Sequence, residues 1–458
     1  MEPHEQPMPE NKMGTMPVNR LLLSMSIPMM ISMLVQALYN IVDSMYVSRI
    51  SEAALTAVSL AFPMQNLMIS VGIGTCVGVS SLLSRSLGAR NYEQVNKAAD
   101  NAVFLGAANY LLFAVIGLFL VPAFFRTQTD IAEIVAYGSD YLFYCCVFSF
   151  GLFGQVTFAR LLQSTGRTFY SMIVQLAGAL VNIILDPILI FGWFGLPRME
   201  VAGAAIATVI GQIIAMLLAI LLNQKANPEV TLSLRGIFRP DFKTIKQIYV
   251  VGAPTIVMNS VSSVMIYGLN QILISFTATA TAVFGVYFKL QSFVFMPVIG
   301  LNNGMVPIIA YNYGARKKKR IIRTFQLATV YAVSILIAGM IIFHLIPDRL
   351  LLLFKASEDM LAIGVPALRT ISLSYLFPGF CIVTLSTLQA LGHGLKSMFV
   401  ALVRQLVVLL PVAYLISLTG RLELIWYCFP IAEIIAVILC VIMLIKVYRL
   451  EIKPLEDN

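Results

Sequence analysis

Twelve apolar runs, each long enough to cross a bilayer, dominate this 458-residue chain. A spanning helix needs about 20 mainly apolar residues. The runs cover residues 20–48, 54–84, 98–124, 133–159, 168–194, 200–223, 245–275, 281–311, 321–346, 359–390, 396–418 and 424–447. Hydrophobic residues make up 59% of the sequence and charged ones only 12%, which excludes an ordinary soluble protein. The expected fold is an all-α polytopic membrane protein with twelve transmembrane helices.

Lys and Arg set the orientation, because cytoplasmic loops carry the excess. Of the 31, seven (Arg49, Arg126, Arg198, Arg349, Lys355, Arg369 and Arg421) fall on one side, and Lys289 lies mid-span. The rest fall on the side of the N-terminus, with Arg404, inside the eleventh run, expected to snorkel there. Both termini are therefore expected in the cytoplasm of a cell that carries the protein in its inner or plasma membrane. The net charge of +9 is a topology signal rather than a nucleic-acid footprint, and Arg316–Arg320 reads as an anchor beside anionic lipid. Residues 1–19 read as a polar tail rather than a cleaved signal peptide. The six cysteines all lie in apolar runs without metal or redox spacing, so they read as small buried hydrophobes.

The sequence repeats at a constant offset of 226 residues. Pro28 matches Pro254, Phe62 matches Phe288, Gln65 matches Gln291, and Gly74 and Gly78 match Gly300 and Gly304. Gly88-Ala-Arg90 matches Gly314-Ala-Arg316, and Gln163-x-x-Gly166 matches Gln389-x-x-Gly392. One offset implies duplication of a six-helix unit. Six is even, so the two bundles cross in the same sense and form a parallel repeat about an axis along the membrane normal. The expected division is a tail (1–19), a first lobe (20–223), a cytoplasmic linker (224–244), a second lobe (245–447) and a C-terminal tail (448–458). Two such lobes leave a cleft between them and can expose it alternately by rocking, which favours a transporter over a channel or membrane enzyme. In the repeated Gly-Ala-Arg segments, Gly is expected to make the turn and Arg the interfacial anchor.

Intramembrane ionisable residues are functional candidates by default. In the first run Gln36, Asn40 and Asp43 share one helical face; in the fifth, Gln175, Asn182 and Asp186 do the same, with Pro187 next. Both acids lie in the outer half of the first lobe at comparable depth, and Thr208 returns to that depth. Two carboxylates in a poorly hydrated pocket can share one proton, or hold Na⁺ with amide and hydroxyl oxygens. The alternative is that each Asp bonds a neighbouring helix. The second half has Leu269 and Val412 at the matching positions, so coupling is expected to be asymmetric. It has instead Lys289 and Glu433 at similar depth, an ion pair or a substrate contact.

LYNIVD ending at Asp43, QSTGRTFYSM from Gln163, NIILDPILIFG around Asp186, GAAIAT ending at Thr208, YNYGAR ending at Arg316 and FPIAE ending at Glu433 together resemble the multidrug and toxic-compound extrusion (MATE) family. The likeness is to bacterial members of the DinF/MepA kind and covers essentially the whole chain. It implies a monomeric antiporter, without cofactor, that exports small cationic amphiphiles in exchange for H⁺ or Na⁺. It also implies that Asp43, Asn182, Asp186 and Thr208 bind the coupling ion. A flippase for a lipid-linked precursor is the nearest rival, but its pyrophosphate would call for several cations in the cleft. A membrane enzyme would need a nucleophile–base or metal constellation such as paired His, which the sequence does not offer.

Overall fold

The computed structural model describes residues 10–455; the outer ends of the two expected tails, 1–9 and 456–458, lie outside it. Every regular element among the described residues is helical. Ten helices are long and apolar enough to span, and two bent pairs complete twelve spans. In order they are Val18–Ser48, Glu52–Gly88, Tyr92–Phe119, the pair Ala132–Val147 and Phe150–Ser164, Thr168–Phe191, Glu200–Ala226, Phe242–Ile274, Ala278–Gly314, Lys318–Leu345, the pair Glu358–Leu376 and Pro378–Ala390, Gly394–Ser417, and Leu422–Ile452.

The repeat extends to local geometry. Spans two and eight open on Ser51 and Thr277, whose hydroxyls accept from Ala54 and Ala280 N–H. Both side chains thus satisfy an orphan donor of the first turn. Spans four and ten break by 46° and 47°. In the tenth, Pro378 starts the new segment, where its missing N–H costs nothing. After the fourth and tenth spans, Arg167 pairs with Glu229 and His393 with Glu451, at 2.8 and 2.6 Å. Positions 167 and 393 are repeat partners.

The Gly-Ala-Arg segments differ from expectation. Gly88 and Gly314 end their helices, and the left-handed residues are Arg90 (φ 56°) and Arg316 (φ 58°). Asn91 N–H bonds Ser86 C=O and Lys317 N–H bonds Asn312 C=O, at 2.9 Å each, so the helix-closing bonds hold the Arg in place. Glycine serves close approach instead. Gly88 rests on the Tyr311 carbonyl, and Gly314 on the Arg85 carbonyl. Spans two and eight, one from each half, are thereby sealed at the end bearing most Lys and Arg. Span one also packs along span eight, and span seven along span two.

The N-terminal segment is not a free tail. Lys12–Thr15 forms a helical turn with Met13 fully buried. Asn11 Nδ2 donates to Thr165 C=O (3.0 Å) in the first half and to Glu229 Oε1 (2.9 Å) in the segment that follows it. In the second half, Asn312 Nδ2 and Arg320 Nη2 donate to Met13 C=O at 3.0 Å each. The segment between the halves is likewise bonded to span three: Asn96, Asp100 and Asn101 accept from the N–H groups of Thr231, Ser233 and Asp241.

Candidate functional site

Span five runs unbroken through Pro187 and carries Asn182 and Asp186 on its buried face. Span six packs along it and brings Thr208. Asn182 Nδ2 donates to Thr208 Oγ1 at 3.0 Å. Span one also lies against span five, and its Asp43 carboxyl comes within hydrogen-bonding reach of that of Asp186. The four residues singled out in sequence therefore converge.

Their oxygens lack donors. Asp186 is fully buried, yet neither of its carboxyl oxygens receives a hydrogen bond from a donor among the described residues. Asp43 Oδ1 and Asn182 Oδ1 are in the same position. Buried polar oxygens are normally satisfied, and isolated buried charge is costly. Such a cluster can accept a partner that supplies positive charge or a donor. A proton shared by the two carboxyls fits. So does a hard cation, which takes oxygen ligands of this kind. Among the described residues no group of three or more His, Cys, Asp or Glu forms a transition-metal cage.

Sequence reasoning missed the surrounding shell. Tyr39 Oη lies 3.5 Å from Thr208 Oγ1. Gln65 Nε2 donates to Tyr141 Oη at 3.1 Å, and Tyr141 lies within electrostatic range of Asp43. Tyr39 was accessible in principle: it stands four residues before Asp43, on the same helical face. Tyr141 and Gln65 come from other spans and needed tertiary structure.

Other expected residues lie elsewhere. Gln36 and Asn40 are exposed, and their side chains form no hydrogen bond among the described residues. Gln175 bonds Ser171 on its own helix at 3.4 Å, about three turns from Asp186. Glu433 does not pair with Lys289. It meets Arg404 (Nη1 to Oε1, 3.4 Å), with both side chains largely buried. Arg404 sits in a π-helical stretch, Val403–Leu409, packed against the last span, so it turns inward rather than snorkelling. Lys289 is exposed and forms no ion pair among the described residues. The positions matching the first-half acids are apolar, with Leu269 fully buried. Close to Glu433 the second half is filled by Tyr287, Tyr375, Phe284, Phe343 and Phe429 in mutual ring contact.

The MatE family model matches residues 28–188 and again 254–415, once in each half, starting at the repeat partners Pro28 and Pro254. The chain belongs to the MatE family. "Multidrug export protein MepA" of Staphylococcus aureus (strain MSSA476) is 28% identical over 416 residues, 90% of each chain. Its namesake in Staphylococcus haemolyticus (strain JCSC1435) is 28% identical over 410 residues, 88% of each. A solved structure described as the outward-facing conformation of a multidrug resistance MATE family transporter of the MOP superfamily matches with a TM-score of 0.90. It is 26% identical, and the match covers 99% of this chain and 100% of that one. This MatE chain is thus a multi-span membrane protein of a transporter family, not of an enzyme family.

Proposed function

We propose that this protein is a secondary active antiporter of the cell membrane, exporting small amphiphilic organic cations in exchange for H⁺ or Na⁺. The observation that carries this reading is the donor-poor cluster of Asp43, Asn182, Asp186 and Thr208. Its relatives' names, which speak of multidrug export, support the substrate class. The lobes are 20–223 and 245–447, joined by 224–244, and they rock about the cleft between them. With the Lys- and Arg-rich end in the cytoplasm, sealing at Gly88 and Gly314 leaves the cleft open outward.

A proton or Na⁺ entering at Asp43 and Asp186 neutralises charge there and repacks span one against span five, which expels substrate. One charge moving through the membrane field is worth about 2.3 kcal/mol per 100 mV, enough to drive a modest gradient. A pyrophosphate flippase fits less well, since Arg404, deep in the second half, is already engaged by Glu433.

The test is ethidium transport in proteoliposomes under an imposed pH gradient, then an imposed Na⁺ gradient, for the wild type and for Asp43→Asn and Asp186→Asn. Transport driven by one gradient and lost in both variants supports the reading. Wild-type transport that both variants retain would overturn it.

A further inference from the structure

Lys289 is a full charge deep in span eight, and its direction can be read from its helix. Lys289, Met296, Gly300, Pro307 and Gly314 follow one another at steps of seven, four, seven and seven residues, so they form a single stripe. Lower on that stripe Gly300 rests on Met30 of span one, and Gly314 on the Arg85 carbonyl of span two. The stripe therefore faces the opposite half. Above Gly300 this packing ends: Lys289 is exposed, and nothing lies within 4 Å of a Cβ built on Gly285. On span one, Leu34 and Ile41, outward of Met30, are 39% and 41% exposed. The opposite face of span eight, with Phe284, Tyr287 and Leu290, is buried in its own half.

Depth follows from the repeat. Gln65 reaches Tyr141 beside the Asp43 site. Its partner Gln291 is at the same depth, because the repeat axis runs along the membrane normal. Lys289 is two residues away, about 3 Å along the helix. The ammonium thus stands on the second-half wall of the cleft, level with the acids of the first half. Its natural counter-ion is unavailable, since Glu433, the carboxylate deep in the second half's spans, is taken by Arg404.

We infer that Lys289 receives an anionic group on the transported compound, so that the preferred substrates are zwitterionic amphiphiles. Their cationic centre is drawn to the first-half acids and their carboxylate to Lys289. The inference rests on the exporter reading above and narrows its substrate class. A cleft with opposite charges on its two walls orients a dipolar molecule and favours it over a simple cation of the same size and shape.

Rhodamine B, a zwitterion, and its ethyl ester, a cation, differ only in that carboxylate. Fluorescence anisotropy on the purified full chain should show tighter binding of rhodamine B than of the ester. Lys289→Gln should weaken rhodamine B about tenfold and leave the ester within about twofold; Lys289→Arg should keep the preference. No preference in the wild type, binding of neither dye, or equal effects of Lys289→Gln on both would overturn the inference. Ester transport in proteoliposomes is scored separately. If an ion gradient drives it while the binding preference is absent, the substrate inference fails and the exporter stands. If no gradient drives either dye, the exporter reading fails.

Discussion

Gly88 lies against the carbonyl oxygen of Tyr311, with no room for a Cβ between them. Its repeat partner Gly314 lies in the same way against Arg85, the partner of Tyr311. Because the obstructing atoms are backbone, no side-chain rotation relieves a substitution. Gly88→Val and Gly314→Val should each force spans two and eight apart at this end. Overpacking of this kind costs about 1–3 kcal/mol. The cost falls on the sealed state, so the expected outcome is a population shift toward one open at the Lys- and Arg-rich end. Spin labels on the loops after spans two and eight should show a longer distance in the variants; an unchanged distribution with normal thermal stability would contradict the role given to these glycines.

Around the acids, the side chains are not equivalent. Thr208 accepts from Asn182 at 3.0 Å, whereas Tyr39 approaches it only at 3.5 Å. Thr208→Val removes an acceptor and leaves a buried amide without its partner, a loss of about 1–3 kcal/mol. Tyr39→Phe removes one long contact. Transport should therefore fall about tenfold or more in Thr208→Val and no more than a few-fold in Tyr39→Phe. The reverse order in a dye-efflux assay at matched expression would mean that Tyr39, not Thr208, completes the site.

Much of this architecture is legible in the sequence, for identifiable reasons. The spans are legible because hydrocarbon imposes length and polarity. The two halves are legible because duplication left one offset, and Asp43 and Asp186 stand out because charge is rare in such runs. What sequence hides is choice among tertiary partners. The sequence offered Lys289 to Glu433 and sent Arg404 to the cytoplasmic side, and the π-helical turn that brings Arg404 to Glu433 leaves no mark on the hydrophobic pattern. Likewise the left-handed residue of the turn is Arg90 rather than Gly88, because the glycine answers to a helix of the other half. The docking of Met13 was invisible for the same reason, since its partners Asn312 and Arg320 lie some three hundred residues away.

The Arg404–Glu433 pair gives a prediction about stability. Each charge is buried among apolar side chains, and removing one partner strands the other. Arg404→Met should destabilise the protein by about 3–5 kcal/mol, while the double variant Arg404→Met/Glu433→Met should recover most of that loss. Thermal unfolding followed by size-exclusion chromatography distinguishes the two. Additive losses in the double variant would mean that the pair is not coupled.

The N-terminal segment bridges both halves at the sealed end, and its bonds state what should loosen it. Arg320 Nη2 donates to the carbonyls of Met13 (3.0 Å) and Met16 (2.7 Å), and Lys317 Nζ to that of Gly14 (3.0 Å). Arg320→Ala takes the guanidinium from both carbonyls and leaves that of Met13 held by Asn312 alone, so amide exchange in this segment should rise about tenfold or more. The Lys317–Glu10 pair adds a pH dependence of known sign. The Lys317 ammonium holds the Glu10 carboxyl below its ordinary value of 4.5. Its contribution is therefore fully present above that value and is lost as pH falls through the lowered native one. Once corrected for the intrinsic pH dependence of exchange, protection of this segment should be flat from about pH 5.5 to 8 and fall only in acid. Lys317→Ala should remove the acid-dependent step. A step that persists in Lys317→Ala, or one centred near neutrality in the wild type, would show that a different group fastens the segment.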